Sequence, residues 1–378
     1  MNELKKTLNK PLWALGLMSG TSADGIDAAL LQTDGITIHA FGPTHFAPYP
    51  EELKCQILKA YGHPPGPEIT PLEQAITEQH AKVALALLKK AGIKPSNIDL
   101  IGFHGQTLFH KPPQQKGEIG ETYIIGDGPL LASMTGIPVV DQFRLNDIGH
   151  GGQGAPFVPI FHQALAKNLS KPLGVVNIGG VANITWIGAH ENDLIAFDIG
   201  PGNGLIDDWV RENTGLSWDE GGKIAEKGHV DEKLLLKWLS HPYFRQAPPK
   251  SLDRGTFKPF LKDVTPLPFE DGVATLTAFT AAAIEQALAH LPKAPTLWLM
   301  AGGGAHNSTL LKMIEERLNV PIFKAADKGW DGDALEAQAF AFLAVRSLRN
   351  LPLSFPGTTG VPFPLTGGRI CEFKTFDT

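Results

Sequence analysis

Residues 173–203, LGVVNIGGVANITWIGAHENDLIAFDIGPGN, hold two glycine-broken turns close together, and this constrains the chain more than any other stretch. Residues 173–178 are a short apolar run, Gly179-Gly180 is a turn pair, and 181–186 resume with β-branched residues, so the local pattern predicts a hairpin. A third apolar run, 194–197, stops at Asp198 and is followed by Ile199-Gly200-Pro201-Gly202-Asn203. Leu205, Ile206, Trp209 and Val210 then recur with helical spacing. The pattern places Asp198 where a strand gives way to a loop. There a strand fixes the carboxylate, glycines admit a ligand to the backbone, and a helix N-terminus attracts anions. Two such turns suggest a phosphate site. The competing reading is local, because an Asp before Gly-Pro-Gly is commonly a turn former bonded to its own backbone.

Repetition favours the first reading. Residues 15–30, LGLMSGTSADGIDAAL, repeat the plan of apolar run, small polar turn and second apolar run, so the chain reads as two related halves. Its 378 residues suffice for two or three domains, and 43% apolar residues can build their cores. A net charge of −6 without a block of Lys or Arg lacks the footprint of a nucleic-acid binder. Cys55 and Cys371 are far apart and form no Cys-x-x-Cys or Cys/His spacing, which argues against a disulfide framework or structural zinc and fits a reducing cytoplasm. Lys5, Lys6 and Lys10 before the apolar run 12–18 mimic a secretory signal, but the run is short and leads into a turn, Gly20-Thr21-Ser22. By this reading no stretch approaches the ~18 apolar residues of a membrane span.

In chain order, 12–18, 26–33 and 36–41 read as a three-stranded meander. Helical periodicity covers 51–60 and 72–91, the second ending at Gly92 as a C-terminal cap. Residues 98–103 form a buried strand that delivers His104-Gly105-Gln106-Thr107, either ligand contacts or a plain turn. Residues 137–140 are a short strand leading to Arg144 and the glycines at 149–154. Gly152-Gln153-Gly154 lacks the βαβ context of a dinucleotide fingerprint, and no Walker A lysine is present. His110, His150 and His162 are too scattered to be metal ligands. Helices are expected over 230–239 and 272–291, separated by a Pro-rich irregular insertion at 242–268 that could form the rim of a cleft. Strand 296–300 feeds Gly302, Gly303 and Gly304 and a helix over 308–318, a plan that suits a nucleoside lying on bare backbone. In the last long helix, 333–349, Asp333 and Glu336 have the spacing of a variant capping box, so Glu336 is either a cap or a functional group.

Residues 16–27 (GLMSGTSADGID), Asn177-Ile178-Gly179-Gly180, 197–203 and 301–307 together resemble anhydro-N-acetylmuramic acid kinase, over nearly the whole chain. That family belongs to the sugar kinase, actin and heat-shock chaperone superfamily. The resemblance implies an α/β fold of two actin-like (ribonuclease H-like) domains with an interdomain cleft, ATP and Mg²⁺ as cofactors, and a small-molecule sugar as the other substrate. It implies cleavage of the anhydro bond of 1,6-anhydro-N-acetylmuramic acid with phosphorylation of O6, yielding N-acetylmuramic acid 6-phosphate in peptidoglycan recycling. Carried over by residue, Gly20, Thr21, Ser22, Ala23, Asp24, Gly25, Ile26 and Asp27 resemble the phosphate loop. Asp198 resembles the base that activates water, and Gly302, Gly303 and Gly304 the adenosine loop. Asn177, Gly179, Gly180, Gly200, Gly202 and Asn203 belong to the nucleotide-binding motifs, and His104, Thr107, Arg144 and Glu336 resemble sugar contacts. Leu17-Met18 stand where many superfamily members carry an Asp, so the metal would be held by water and phosphate, by Asp24, or by Asp27.

The expected division is 1–138 plus 352–378 for the first domain and 139–351 for the second, with hinges near 137–140 and 350–353. Two other classes stay open: a nucleotide-driven clamp on the same fold, and an ordinary sugar kinase in which Asp198 deprotonates a hydroxyl. A cytoplasmic enzyme without nucleic-acid or membrane partners is expected. The sequence leaves a homodimer open.

Overall fold

The computed structural model describes residues 10–113, 118–190, 192–253 and 255–372. The chain divides into two compact units, Met1–Lys167 with Asp333–Thr378, and Asn168–Gly332.

In the first unit, β1 (Leu12–Met18), β2 (Gly25–Thr33) and β3 (Ile38–Pro48) form the expected antiparallel meander. β4 (Leu100–Phe103) pairs parallel to β1 on its other side. β5 (Gln106–Lys111) and β6 (Glu121–Ile125) make a separate antiparallel ribbon, so Gln106 and Thr107 stand on a strand and not in a turn. The partner of that strand begins only at Glu121, where no local pattern reveals the pairing. β7 (Val139–Asp141) extends the sheet, parallel to β4. The helix Thr70–Ala91 ends on Gly92 in the left-handed conformation (φ 67°), as the sequence predicts.

The second unit repeats the plan. β8 (Leu173–Ile178), β9 (Val181–Ile187) and β10 (Leu194–Pro201) are an antiparallel meander, and β11 (Leu297–Ala301) and β12 (Ile322–Lys324) run parallel to β8. The strand orders β3-β2-β1-β4-β7 and β10-β9-β8-β11-β12 are the same, which is the duplicated ribonuclease H-like core. The last strand among the described residues, β13 (Arg369–Cys371), adds to the edge of the first sheet against β7.

β10 runs past Asp198 to Pro201, because β9 offers partners as far as Val181; the irregularity expected at Asp198 is a bulge between Asp198 and Gly200. The domain boundaries also differ from the sequence reading. Residues 139–167 and the helix Leu335–Leu348 belong to the first unit, the latter because it packs on β1 and β4. Residues 137–140 therefore lie inside a unit, with Val139 and Val140 in the sheet, and the chain passes between units at 167/168 and 332/333.

The helix Phe269–Gln286 is the core element of the second unit, buried at Val273, Leu276, Phe279 and Ile284 among others. By length and mean hydropathy (1.2) the segment Phe269–His290 passes for a membrane span, which the sequence reading did not credit; 78% of that window is buried inside the protein.

Packing of Leu335–Leu348 on the first sheet depends on glycine. A Cβ at Gly16 would sit 1.7 Å from the Ala337 carbonyl oxygen, and one at Gly102 would sit 2.0 Å from that of Phe340. Ala337, Ala341 and Ala344 share the helical face that meets these strands, so backbone lies almost on backbone. Gly16→Ala is expected to lift the helix and destabilise the protein by about 2 kcal/mol or more, read as a lower urea midpoint in fluorescence-monitored unfolding.

Candidate active site

In the second unit the two glycine turns are laced together. Asn203 N–H donates to Gly179 O (2.7 Å), while Gly202 and Gly204 N–H donate to Gly180 O (3.1 and 3.2 Å). A Cβ at Gly202 would lie 2.1 Å from Gly179 O, so only glycine allows this approach. Asn203 Nδ2 also donates to Ile178 O (3.3 Å). The third glycine loop packs on the same place: side chains at Gly302 (φ 76°) and Gly304 would collide with Asn177 Oδ1 and Ile178 Cγ2, both at 2.4 Å. Gly303 is different, since its nearest neighbour would be Asn203 Nδ2 at 3.5 Å. It opens on a cavity of about 680 Å³ lined by Asn203, Trp218, Asp219, Gly303, His306 and Asn307. Bare backbone, an exposed indole (Trp218, 61%) and carboxylate and amide groups fit a purine nucleoside. His306 lies within the run 301–307, whereas Trp218 had no signal in the sequence, because nothing local marks an exposed Trp as lining a cavity.

Asp198 sits on the β10 bulge, and the Pro-rich insertion closes on it. Its N–H donates to Lys250 O (3.0 Å), Leu252 N–H donates to its Oδ2 (2.7 Å), and Tyr243 Oη donates to its carbonyl oxygen (2.6 Å). Among the described residues Oδ1 accepts no hydrogen bond. Burial pushes the carboxyl up to about 6, against the Leu252 N–H, which favours the charged form. The arrangement suits a general base: ionised at neutral pH, more basic than an ordinary Asp, with one oxygen fixed and one available. The sequence expects the insertion only at a cleft rim; in the structure it holds this carboxylate.

In the first unit, the tip joining β1 to β2 carries Gly20 through Asp24, with Gly25, Ile26 and Asp27 on β2. Ala23 N–H donates to Gly20 O (3.1 Å), and Thr21, Ser22 and Asp24 are exposed. Gln106, fully buried, braces this tip: its Oε1 accepts from Ser19 Oγ (2.7 Å), and its Nε2 donates to Gly20 O (3.1 Å) and Tyr61 Oη (3.3 Å). Tyr61 Oη in turn donates to Thr21 O (2.6 Å). A Cβ at Gly20 would meet nothing nearer than Ser22 Oγ at 3.8 Å, leaving the backbone open to a phosphate. Among the described residues no three His, Cys, Asp or Glu converge on a metal site. Asp24 is exposed and 3.4 Å from Lys54 Nζ, so a magnesium ion there would be held chiefly by phosphate and water oxygens with at most single carboxylates.

The sugar-contact candidates lie together in the same unit. Arg144 Nη1 donates to Gly154 O (3.0 Å) and Nη2 to His104 Nε2 (3.0 Å). His104 Nδ1 faces its neighbour's carbonyl, Gly105 O (2.9 Å), so the ring carries its proton on Nδ1 and accepts on Nε2. Burial and Arg144 keep it neutral, with its pKa down to about 3. His104 therefore aims the guanidinium, whose buried Nε has no partner among the described residues. Burial lowers Arg144 to about 10, opposed by Glu336 and Asp147. Glu336 is not a cap: Ala334 occupies the N-cap position without a side-chain bond. Glu336 is exposed, and desolvation nonetheless raises its carboxyl while Arg144 opposes the rise. Thr107 is buried on β5 opposite Ile124. Gln106, which the sequence offers with its neighbours as a ligand contact or a turn residue, is in the structure the brace of the Gly20 tip.

Gln106→Leu removes one donor to Gly20 O and one partner each of the Ser19 and Tyr61 hydroxyls, leaving Gly20 O only Ala23 N–H and Ser19 only Gly25 O, so it is expected to cost about 1–3 kcal/mol. Equilibrium urea unfolding measures the loss, and faster amide exchange at residues 20–25 reports loosening of the tip.

The family model for anhydro-N-acetylmuramic acid kinase matches residues 12–372. The chain is 49% identical over 360 residues to the anhydro-N-acetylmuramic acid kinase of Rhodospirillum rubrum, covering 94% of this chain and 93% of that one. It is 47% identical to the protein of the same name from Zymomonas mobilis (94% and 99% covered) and 48% identical to that of Bradyrhizobium diazoefficiens (96% and 99%). With the duplicated fold, the glycine loops and the strand-borne Asp198 in place, the chain belongs to the anhydro-N-acetylmuramic acid kinase family of enzymes.

Proposed function

We propose that the protein uses ATP to convert 1,6-anhydro-N-acetylmuramic acid into N-acetylmuramic acid 6-phosphate, a step of peptidoglycan recycling. The observation that carries this reading is Asp198, a partly buried carboxylate with a raised pKa, one oxygen tied down and the other available, beside the glycine loops of a kinase fold. In a plain phosphoryl transfer, positioning and charge neutralisation do most of the work. Opening a glycosidic bridge with water also needs a base, and Asp198 has the properties of one.

In this mechanism Asp198 takes a proton from water as the water oxygen bonds to C1. The C1–O6 bond breaks, O6 bonds to the γ-phosphorus, and ADP leaves. Phosphorylation of O6 replaces the acid that a glycosidase would supply, so one carboxylate suffices. The bridge holds O6 on the β face, and water enters from the opposite face to give the α-anomer first.

The proposed assignments follow the site. Gly20, Thr21, Ser22, Ala23, Asp24, Gly25, Ile26 and Asp27 hold the phosphates through backbone N–H groups. Asn177, Gly179, Gly180, Gly200, Gly202, Asn203, Gly302, Gly303 and Gly304 shape the seat of the nucleoside. Arg144, aimed by His104, acts with Thr107 and Glu336 on the sugar, where the free Nε is a donor awaiting an acceptor. Magnesium would be held by phosphate oxygens and water near Asp24 and Asp27, and would neutralise phosphate charge.

Three outcomes check the reading. With ATP, anhydro sugar and ¹⁸O-water, the product gains one water and one phosphate, the label sits on C1, and fresh product seen by proton NMR is the α-anomer. A gain of phosphate alone identifies an ordinary sugar kinase, and label in the phosphate ester rules out the single-base mechanism. Asp198→Asn is expected to lower kcat by ~10² or more without loss of ATP binding. Because the base must be ionised, kcat/KM should fall as pH drops through about 6, a limb absent from the residual rate of the Asn variant.

A further inference from the structure

The geometry points to Lys250–Leu252 as a strap that positions Asp198, with Lys250 as its anchor. This rests on Asp198 being the base. The strap grips Asp198 at two points: Lys250 O accepts from Asp198 N–H (3.0 Å), and Leu252 N–H donates to Asp198 Oδ2 (2.7 Å). These bonds fix both the backbone at the bulge and the carboxylate plane, leaving Oδ1 to face its water. A bulge residue is otherwise weakly held, since the ladder is interrupted at Asp198.

The strap belongs to irregular chain, so something must hold it in turn. Lys250 folds back over the unit: its Nζ donates to Tyr243 O (3.2 Å), lies 3.4 Å from His290 Nε2, and sits 4.6 Å and 5.5 Å from the ring centroids of Tyr243 and Phe197. Among the described residues it has no carboxylate partner, which sets it apart from a surface ion pair. Its seat is made by residues that also touch the base: Tyr243 donates to the Asp198 carbonyl, and Phe197 precedes Asp198 on β10. His290 is itself fixed by Phe244 O (2.8 Å). Among the described residues, the titratable side chains in these contacts are Tyr243, Lys250 and His290. The shift of the carboxyl comes from burial and the Leu252 N–H, with no contribution from the Lys250 ammonium. Lys250 is accordingly a positioning residue and not a catalytic one.

Two variants separate its role from general stability. Lys250→Met keeps the aliphatic stem and removes the ammonium; Lys250→Arg restores a cation over the two rings. The Met variant should lose about tenfold in kcat with KM for ATP and sugar within about twofold and an unchanged urea midpoint, and the Arg variant should recover most of it. Leu252→Pro removes the N–H that favours ionised Asp198, so the acid limb of its kcat profile should move above the wild-type position. If Leu252→Pro does not fold, the Met and Arg pair decides alone. Wild-type kcat in Lys250→Met, or equal losses in Met and Arg, overturns the strap, provided Asp198→Asn loses ~10² or more in kcat in the same assay. An active Asp198→Asn overturns the base, and the strap's purpose with it.

Discussion

Three backbone hydrogen bonds from residues 202–204 to the carbonyls of Gly179 and Gly180 hold the second unit's site together. They require glycine at 202, because any Cβ there would collide with Gly179 O. Once made, they fix the end of β8 against the end of β10 and create the surface on which Gly302 and Gly304 rest. The Gly302–Gly304 loop, Asp198 on its bulge and the helix Gly204–Thr214 are all referenced to this one joint. Such a joint is stiff for a physical reason: backbone hydrogen bonds at this separation leave no side-chain rotamers to average over.

The first unit reaches the same end with different means. There the turn between β1 and β2 is braced by side chains, Ser19, Gln106 and Tyr61, instead of by a second glycine turn. The difference suits the two tasks proposed. A nucleoside seat profits from bare, rigid backbone. A phosphate tip needs free N–H groups, so its carbonyls are occupied by donors from behind. The helix Leu335–Leu348 then brings Glu336 to the Arg144 cluster, and it can do so because Gly16 and Gly102 let it lie flat on the sheet.

Electrostatics divides the polar groups into two kinds. Asp198 and Glu336 are carboxylates raised by desolvation, whereas His104 is kept neutral by burial and by the guanidinium it receives. A neutral His that accepts from Arg144 spends its only acceptor on aiming that side chain. Among the described residues the Nε of Arg144 is left without a partner.

Much of this was legible before any coordinates. Alternating and continuous apolar runs marked both meanders, and the repeated run-turn-run plan disclosed the duplication, because strand and turn signals are local. Asp198 was legible for the same reason, standing at a break between an apolar run and a glycine loop. What the sequence could not decide was set by contacts distant in the chain. Ribbon β5–β6 pairs Lys111 with Glu121, and Leu335–Leu348 returns to a sheet begun at Leu12, which moved the unit boundaries. The apparent capping pair at 333 and 336 dissolved because the helix begins at Leu335, with Ala334 at its N-cap position. The hold on Asp198 by Lys250 and Leu252 was hidden most completely: it is made by backbone groups of an irregular, proline-rich segment, whose hydrogen bonds carry no residue signature and exist only once the tertiary structure has placed them.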